Sequence, residues 1–154
     1  MSYLELKLPP PVAALLAGLL MAGLSWGGFC PLPLSSAWRY FGAAALCGLG
    51  FGLLLISGRL FFKAGTTVLP HKPGNASKLV VSGIYRHSRN PMYLAMLLML
   101  SGWGVCLGDW SALAALPLFM LYMTRFQIIP EERALAALFG GEYLEYKSRV
   151  RRWI

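Results

Sequence analysis

Four apolar stretches, each close to the length that crosses a lipid bilayer, constrain this chain more than any other feature. They extend over residues 11–29, 38–62, 91–107 and 110–129, and a transmembrane helix needs roughly 20 apolar residues. Hydrophobic residues make up 57% of the chain and charged residues 13%, whereas a soluble domain carries about 25% charged residues. The sequence therefore predicts an all-α, multi-pass membrane helical bundle with about four transmembrane helices.

The length of 154 residues leaves room for a single membrane domain. We divide it into two amino-terminal spans in residues 1–62 and a region of loop, helical hairpin and short helices in residues 63–154. The composition excludes an ordinary soluble enzyme and a disordered tail. The first span ends without an A-x-A cleavage pattern, so we expect it to be retained.

Positive charge is distributed very unevenly along the chain. Thirteen of the 14 Lys and Arg residues lie at the amino terminus, in the connection after the second stretch, or at and beyond the end of the fourth. The positive-inside rule makes that side cytoplasmic, which places both termini inside. A net charge of +8 could also suggest a nucleic-acid partner, but the basic cytoplasmic side accounts for it and we expect no nucleic acid.

Small residues recur four positions apart on the first two spans, a spacing that lets helix backbones approach closely in lipid. We expect them to support packing within the bundle, with homodimerisation as the alternative. The residues concerned are Gly23, Gly27, Ala44, Gly48 and Gly52.

The three cysteines include no C-x-x-C pair. A disulfide between Cys30 and Cys106, both near the outer face, stays open at this stage.

The polar segment from 63 to 90 contains more pattern than a simple tether needs. It holds an apolar run, then Ser82-Gly83-Ile84-Tyr85, then a basic cluster that leads into Asn90-Pro91-Met92-Tyr93. Proline suits the first turn of a helix and Asn90 is a candidate N-cap. A capped helix start explains Asn90 and Pro91 but not Gly83, Tyr85 or Tyr93.

The inner end of the fourth span is also unusual, because Arg125 and Gln127 lie inside an otherwise apolar stretch. Ionisable residues within a span are candidates for function, although an arginine near a span end can simply snorkel. Pro130 suits the start of a further helix. The first turn of that helix would contain Glu131 and Glu132, where the helix dipole favours negative charge.

Beyond Glu131 the sequence predicts two short helices that are separated at Gly140-Gly141. The aromatic residues of the second share one face, with basic residues mostly elsewhere, which favours a plain anchor at the lipid headgroups. Within the fourth span itself, Pro117 predicts a kink.

The segment from about residue 57 onwards resembles the isoprenylcysteine carboxyl methyltransferase and phospholipid methyltransferase superfamily of integral membrane enzymes. The similarity lies in Gly65-Thr66-Thr67, Leu79-Val80-x-Ser82-Gly83-Ile84-Tyr85, Arg89-Asn90-Pro91-Met92-Tyr93, and Pro130-Glu131-Glu132 followed by Phe139-Gly140 and Tyr143. The family pattern is Arg-His-Pro-x-Tyr followed, one hairpin later, by a Glu-Glu pair. Asn90 replaces the histidine, a common variant among bacterial members, so we expect a bacterial cytoplasmic membrane.

The resemblance implies methyl transfer from S-adenosylmethionine to an acceptor that enters from the lipid. It implies that the nucleoside is wrapped by Leu79, Val80, Gly83 and Tyr85, above a helix start that comprises Asn90, Pro91 and Tyr93. It also implies that Glu131 and Glu132 bind the cofactor, with Glu131 a candidate catalytic residue, and that Arg125 lies near the acceptor.

The identity of the acceptor stays open among a prenylcysteine-like carboxylate, the amine of a phospholipid and a lipophilic thiol. An amine would require a general base, for which Glu131, Glu132, Tyr85 and Tyr93 are candidates. We expect no metal, lipid or a lipophilic small molecule as partner, and an oligomer as a possibility. The rival interpretation is a non-catalytic membrane accessory protein or carrier.

Overall fold

A computed structural model describes residues 5–65 and 78–154, and the secondary structure of these residues is entirely helical apart from one isolated bridge between Pro31 and Asp109. The helices follow one another in the order α1 (Pro10–Ser25), α2 (Ser36–Ala64), a short 3₁₀ turn (Gly83–Arg86), α3 (Pro91–Leu107), α4 (Trp110–Leu113), α5 (Ala115–Met123), a π turn (Thr124–Ile128), α6 (Ile129–Phe139) and α7 (Gly141–Arg149). The all-α prediction is confirmed.

Two helical runs among the described residues are long and apolar enough to cross a membrane: α2, with 29 residues, and the run Trp110–Phe139, with 30. Helices α1 and α3 are apolar but shorter, with 16 and 17 residues. At 1.5 Å per residue, a helix of about 20 residues matches the hydrocarbon thickness. By length, the structure therefore supports two of the four predicted spans.

The contact between α2 and α3 is the most extensive helix–helix contact among the described residues, and glycines let the two backbones approach closely. A Cβ on Gly102 would lie 2.7 Å from the sulfur of Cys47 and 2.9 Å from the carbonyl oxygen of Ala43, while one on Gly50 would lie 2.7 Å from the carbonyl oxygen of Ala95. Backbone therefore meets backbone at these two positions, as small residues allow in membrane helices.

The small residues that the sequence singled out do not make this contact. Among residues 5–65 and 78–154, nothing lies within 4 Å of a Cβ built on Gly23, Gly48 or Gly52, and Ala44 is exposed. The prediction that this set packs within the bundle is wrong, because the α2 face that meets α3 carries Ala43 and Gly50 instead. Homodimerisation through the other face stays a prediction.

The hairpin between α3 and α4 is closed by Gly108 and Asp109. Gly108 adopts a left-handed φ of 73°, and its missing Cβ leaves room for the guanidinium of Arg39. The Asp109 carboxylate accepts the backbone N–H groups of Ser111, at 2.8 Å, and Cys30, at 3.1 Å. Hydrogen bonds from Ser111 hold the pKa of Asp109 below its usual value. All three cysteines are free thiols, so the open question of a Cys30–Cys106 disulfide is answered negatively in this structure.

Two prolines, Pro117 and Pro130, lie within the long helical run Trp110–Phe139, one in its first half and one in its second. The α-helix breaks at Ala114, three residues before Pro117, as the sequence led us to expect. Pro130 lies in the first turn of α6, and Glu131 and Glu132 share that turn, as predicted. What the sequence did not predict is the π turn at Thr124–Ile128, which joins α6 to α5 in one continuous helical run and accommodates the proline ring and its missing N–H.

The amino-terminal residues 5–8 lie along this π turn. The N–H of Leu6 donates to the carbonyl oxygen of Phe126 at 3.0 Å, and the side-chain amide of Gln127 donates to the carbonyl oxygen of Leu8 at 2.5 Å. These hydrogen bonds, together with the buried cluster around Met21, Phe119 and Met123, attach α1 to the α5–α6 run.

Replacement of Gly102 by alanine tests the α2–α3 contact. Because the new Cβ would overlap Cys47 and the backbone of Ala43, we expect the Gly102→Ala variant to lose about 1–3 kcal/mol of stability. Gly48→Ala is the matched control, since its Cβ meets nothing and alanine favours a helix over glycine by about 1 kcal/mol. Thermal unfolding in detergent should lower Tm for the first variant only; equal behaviour of the two would contradict the contact.

Candidate functional site

The 3₁₀ turn at Gly83–Arg86 places an aromatic ring against the inner end of α2. Gly83 has a left-handed φ of 61°, and a Cβ there would lie 2.9 Å from Leu60, so both torsion and space favour glycine. The turn buries Tyr85, whose ring meets that of Phe61 edge-on with a centroid separation of 5.4 Å. Gly83 thus shapes the site without lining it.

The start of α3 is held by the carboxy-terminal residues rather than by a side-chain cap. The side chain of Asn90 donates through Nδ2 to the carbonyl oxygen of Arg152 at 2.9 Å, and the N–H of Arg89 donates to that of Arg151 at 3.0 Å. Asn90 occupies the N-cap position of α3, as predicted, but its side chain makes no capping hydrogen bond, so that part of the prediction is wrong. Pro91 does occupy the first position of α3.

The two adjacent glutamates have different surroundings. Glu132 is 6% exposed and forms ion pairs with Arg89 at 3.2 Å, Lys147 at 3.3 Å and Arg152 at 2.9 Å. Arg152 binds it with two parallel hydrogen bonds, the strongest geometry for this pair. These bonds raise the pKa of Arg152. Glu132 therefore ties α3, α6, α7 and the residues after α7 together.

Glu131 has no cation at ion-pair distance among residues 5–65 and 78–154. Its partner is the hydroxyl of Tyr93, which donates to Oε1 at 2.5 Å. Tyr93 is itself buried. A buried carboxyl group with one neutral donor and no counter-ion among the described residues is suited to a cationic ligand, because a nearby positive charge favours its ionised form.

Helix α7 turns its aromatic face towards the protein. Tyr143 and Tyr146 are 2% and 7% exposed, the hydroxyl of Tyr146 donates to the carbonyl oxygen of Tyr85 at 2.8 Å, and the indole of Trp153 donates to Thr124 at 3.2 Å. The interpretation of this face as a plain membrane anchor is wrong, because these residues cover the site.

The buried phenols of the site stay protonated at neutral pH. Burial raises the pKa of Tyr143 to about 12 and raises the pKa values of Tyr85 and Tyr146 well above their usual range. Tyr85 is therefore a poor general base at neutral pH and acts as a hydrogen-bonding and packing group.

A cavity of about 90 Å³ lies at the centre of these elements. Six of the ten residues that the sequence assigned to a site line it, namely Leu79, Val80, Tyr85, Asn90, Glu131 and Glu132. The other lining residues are Phe61, Lys78, Arg89, Ile128, Leu135, Tyr143 and Tyr146. The geometry thus brings together chain segments far apart in sequence, whereas the role of each residue stays a prediction.

Arg89 is the residue of this cavity that sequence reasoning should have assigned. Its side chain is 9% exposed, and Nε and Nη1 are buried without a hydrogen-bond partner among the described residues. Buried donors of this kind nearly always have an acceptor in a complete site. The motif Arg89-Asn90-Pro91 could have identified Arg89 as a site residue, and the family resemblance already included Tyr143. Nothing in the sequence indicated that Phe61 lines the cavity.

Four of the ten predicted residues lie elsewhere. Gly83 and Pro91 shape the backbone and Tyr93 contacts Glu131, but Arg125 points away, with a 2.8 Å ion pair to Glu5 and a side chain that is 51% exposed. The acceptor role of Arg125 stays a prediction.

Thr66 and Thr67 of the resemblance lie outside the described residues. Within the described ranges, no group of three or more His, Cys, Asp or Glu side chains could hold a metal ion.

The helical bundle thus carries, at one end, a cavity lined by both apolar and ionisable side chains. A family model described as phospholipid methyltransferase matches residues 38–142, more than half of the chain. The protein therefore belongs to this family, which confirms the resemblance and implies a membrane methyltransferase.

A relative from Haemophilus influenzae, described as an uncharacterized protein, is 44% identical over 63 residues, which are 41% of this chain and 100% of that protein. No solved structure matches this chain.

The division between the two glutamates gives a direct stability prediction. Glu132→Gln leaves Arg89 buried without its counter-ion, so we expect a loss of about 3 kcal/mol or more. Glu131→Gln removes a charge that no described cation balances and should change stability little. Unfolding in detergent micelles measures both, and equal losses would contradict the assignment of Glu132 to the structure.

Proposed function

We propose that this protein is an S-adenosylmethionine-dependent methyltransferase that acts on a lipophilic acceptor at the membrane surface. The observation that carries the proposal is Glu131: a carboxylate at the wall of a buried cavity, without a counter-ion in the described part of the chain. A cationic ligand supplies the missing charge. Family membership makes a methyl donor the natural choice of cation.

The chemistry of the cavity wall fits the amino-acid end of S-adenosylmethionine. The cofactor carries an ammonium group, a sulfonium and a carboxylate, so it needs an anionic and a cationic partner. Glu131 offers the first, and the unsatisfied Nε and Nη1 of Arg89 offer the second. Charge-assisted hydrogen bonds of this kind are about twice as strong as neutral ones.

The size of the cavity limits what it holds in this shape. Its 90 Å³ is less than the roughly 150 Å³ that accommodates benzene in an engineered cavity. We therefore assign only the amino-acid end to the described cavity. Leu79 and Val80, at its wall, are the residues that we expect to contact the nucleoside.

The bound cofactor would supply an electrophilic methyl group, so the protein's own task is orientation and exclusion of water. Correct alignment of two reactants can contribute about 7–11 kcal/mol to a barrier. Glu131 and Arg89 would fix one end of the donor, and the aromatic side chains of Tyr85, Tyr143 and Tyr146 would keep water from it. Tyr93 would hold the Glu131 carboxylate in place.

The acceptor can be a carboxylate, an amine or a thiol of a lipophilic molecule. A carboxylate is already nucleophilic at neutral pH, whereas the amine of a phospholipid has to lose a proton first. Glu131 would be the general base for an amine, because Tyr85 keeps its proton. Arg125 would bind an acceptor's negative charge only if the acceptor reaches beyond the cavity to the exposed side of the π turn.

The membrane arrangement that accompanies this function has four spans and both termini in the cytoplasm. One end of the bundle carries nearly all the cations. Contacts bring four segments together there: residues 5–8, the carboxy-terminal end of α2, residues 78–91 and residues 125–154. Cys30, Arg39 and Asp109 lie at the other end. The α1 and α3 helices would span a bilayer by local thinning, at a modest free-energy cost.

A non-catalytic accessory protein is the competing proposal. It would explain the bundle but leaves an unbalanced carboxylate and two unsatisfied guanidinium nitrogens without a purpose. Binding of radiolabelled S-adenosylmethionine to purified protein, followed by an acceptor screen, separates the two; absence of binding by a folded sample would favour the accessory role.

Replacement of Glu131 by glutamine tests the observation on which the proposed function rests, the carboxyl group without a described counter-ion. The variant keeps the shape of the side chain and the hydrogen bond from Tyr93 but removes the charge. We expect the Kd for S-adenosylmethionine to rise about tenfold or more, which corresponds to the free energy of one charge-assisted hydrogen bond. Isothermal titration calorimetry in detergent measures it.

Glu142→Gln is the matched control, because Glu142 is an exposed carboxylate at the start of α7. It should bind like the parent. If Glu131→Gln also binds like the parent, our placement of the cofactor is wrong.

The proposed topology predicts which thiols react from outside the cell. Cys30 is exposed and lies at the end opposite the basic residues, so an impermeant maleimide should label it in intact cells. In a Cys30→Ser background, a cysteine introduced by Ser148→Cys should react only after permeabilisation. The reverse pattern would invert the topology.

A further inference from the structure

The π turn at Thr124–Ile128 sets the direction in which α6 presents its acidic pair. A π turn contains one residue more than an α turn, and each residue rotates a helix by about 100°. If the turn closed to α geometry, Glu131 and Glu132 would rotate away from their present partners relative to α5. The site therefore depends on what holds this turn open.

Proline alone accounts for part of the π turn. Pro130 has no N–H, so the carbonyl oxygen of Phe126, four residues earlier, loses its α-helical donor. The N–H of Leu6 takes that place at 3.0 Å. Leu6 does so with a φ of 58°, a left-handed torsion that is costly for a residue of this type. The amino-terminal backbone thus compensates a defect in a helix far along the chain.

Two further contacts join the same segments. Gln127, fully buried, donates to the carbonyl oxygen of Leu8, and its own Oε1 has no hydrogen-bond partner among the described residues. Glu5, whose side chain is 8% exposed, contacts Arg125, within the π turn, at 2.8 Å and Arg133, directly after the acidic pair, at 3.0 Å. Contacts at both ends and in the middle restrict the rotation of α6.

We propose that residues 5–8 are a positioning segment for Glu131 and Glu132, acting through the π turn. The segment touches no lining residue of the cavity in these contacts. It also lies outside the 38–142 range that the family model matches. The consequence for cofactor affinity rests on the proposed function; the positioning itself does not.

Gln127→Leu is the informative variant. It removes the hydrogen bond to Leu8 and, with it, the orphaned Oε1, whose burial is costly. We therefore expect a Tm close to that of the parent, together with faster amide hydrogen exchange in residues 5–8 and 124–139. We expect the Kd for S-adenosylmethionine to rise about fivefold or more, which is the lower end of the affinity changes that energetic coupling between two sites produces. A residue with a merely structural role would lower Tm and affinity together.

Glu5→Gln provides a second variant, which keeps the buried shape and removes the two ion pairs. Glu145→Gln is its control, because it breaks the exposed pair with Arg149 at 3.2 Å and should change neither exchange nor affinity. We expect Glu5→Gln to raise exchange in the same two regions as Gln127→Leu.

The outcomes separate this proposal from the proposed function. Unchanged exchange in residues 124–139 of both variants would overturn the positioning role, as would faster exchange with parental affinity. If the parent itself fails to bind S-adenosylmethionine, the proposed function fails, and exchange in residues 124–139 alone then decides whether residues 5–8 hold the turn.

Discussion

The buried carboxylate of Glu132 is the interaction on which the polar end of this molecule depends. Arg89 at the start of α3, Lys147 on α7 and Arg152 beyond it all meet this one side chain. Removal of ions from water is costly unless the geometry is excellent, and the two parallel hydrogen bonds from Arg152 meet that condition. These ion pairs hold the segments that line the cavity together, because their separation would leave charged side chains unpaired.

Two neighbouring residues of the same type consequently have different tasks. Glu132 is surrounded by cations and stabilises the structure, whereas the neighbouring Glu131 lines the cavity with the Tyr93 hydroxyl as its hydrogen-bond donor and no described cation beside it. A helix rotation of about 100° per residue is sufficient to separate them. An acidic pair in a sequence therefore does not mean shared surroundings: the second residue holds the wall of the cavity together and the first does not.

Much of the architecture could be predicted from sequence because it follows from local chemistry. Apolar length and turn residues predicted the helical class, the helical hairpin and the start of α3 at Pro91, and six lining residues of the cavity were among the predicted site residues. What could not be predicted depends on partners distant in sequence. Asn90 occupies the predicted N-cap, but its side chain donates to the carbonyl oxygen of Arg152 instead of capping the helix. Pro130 lies in the first turn of α6 as predicted, but the π turn that joins α6 to α5 does not follow from the local sequence. The face of α7 cannot be distinguished from a membrane anchor without Tyr85 opposite it.

The involvement of Arg151 and Arg152 in holding the start of α3 has a consequence for biosynthesis. Helices α1 to α3 leave the ribosome first and can enter the membrane while the residues that complete the site are still being translated. During that interval Arg89 is without both the carboxylate of Glu132 and the backbone acceptor of residue 151. The site therefore cannot form until residues 151 and 152 have been translated, however early the preceding helices fold.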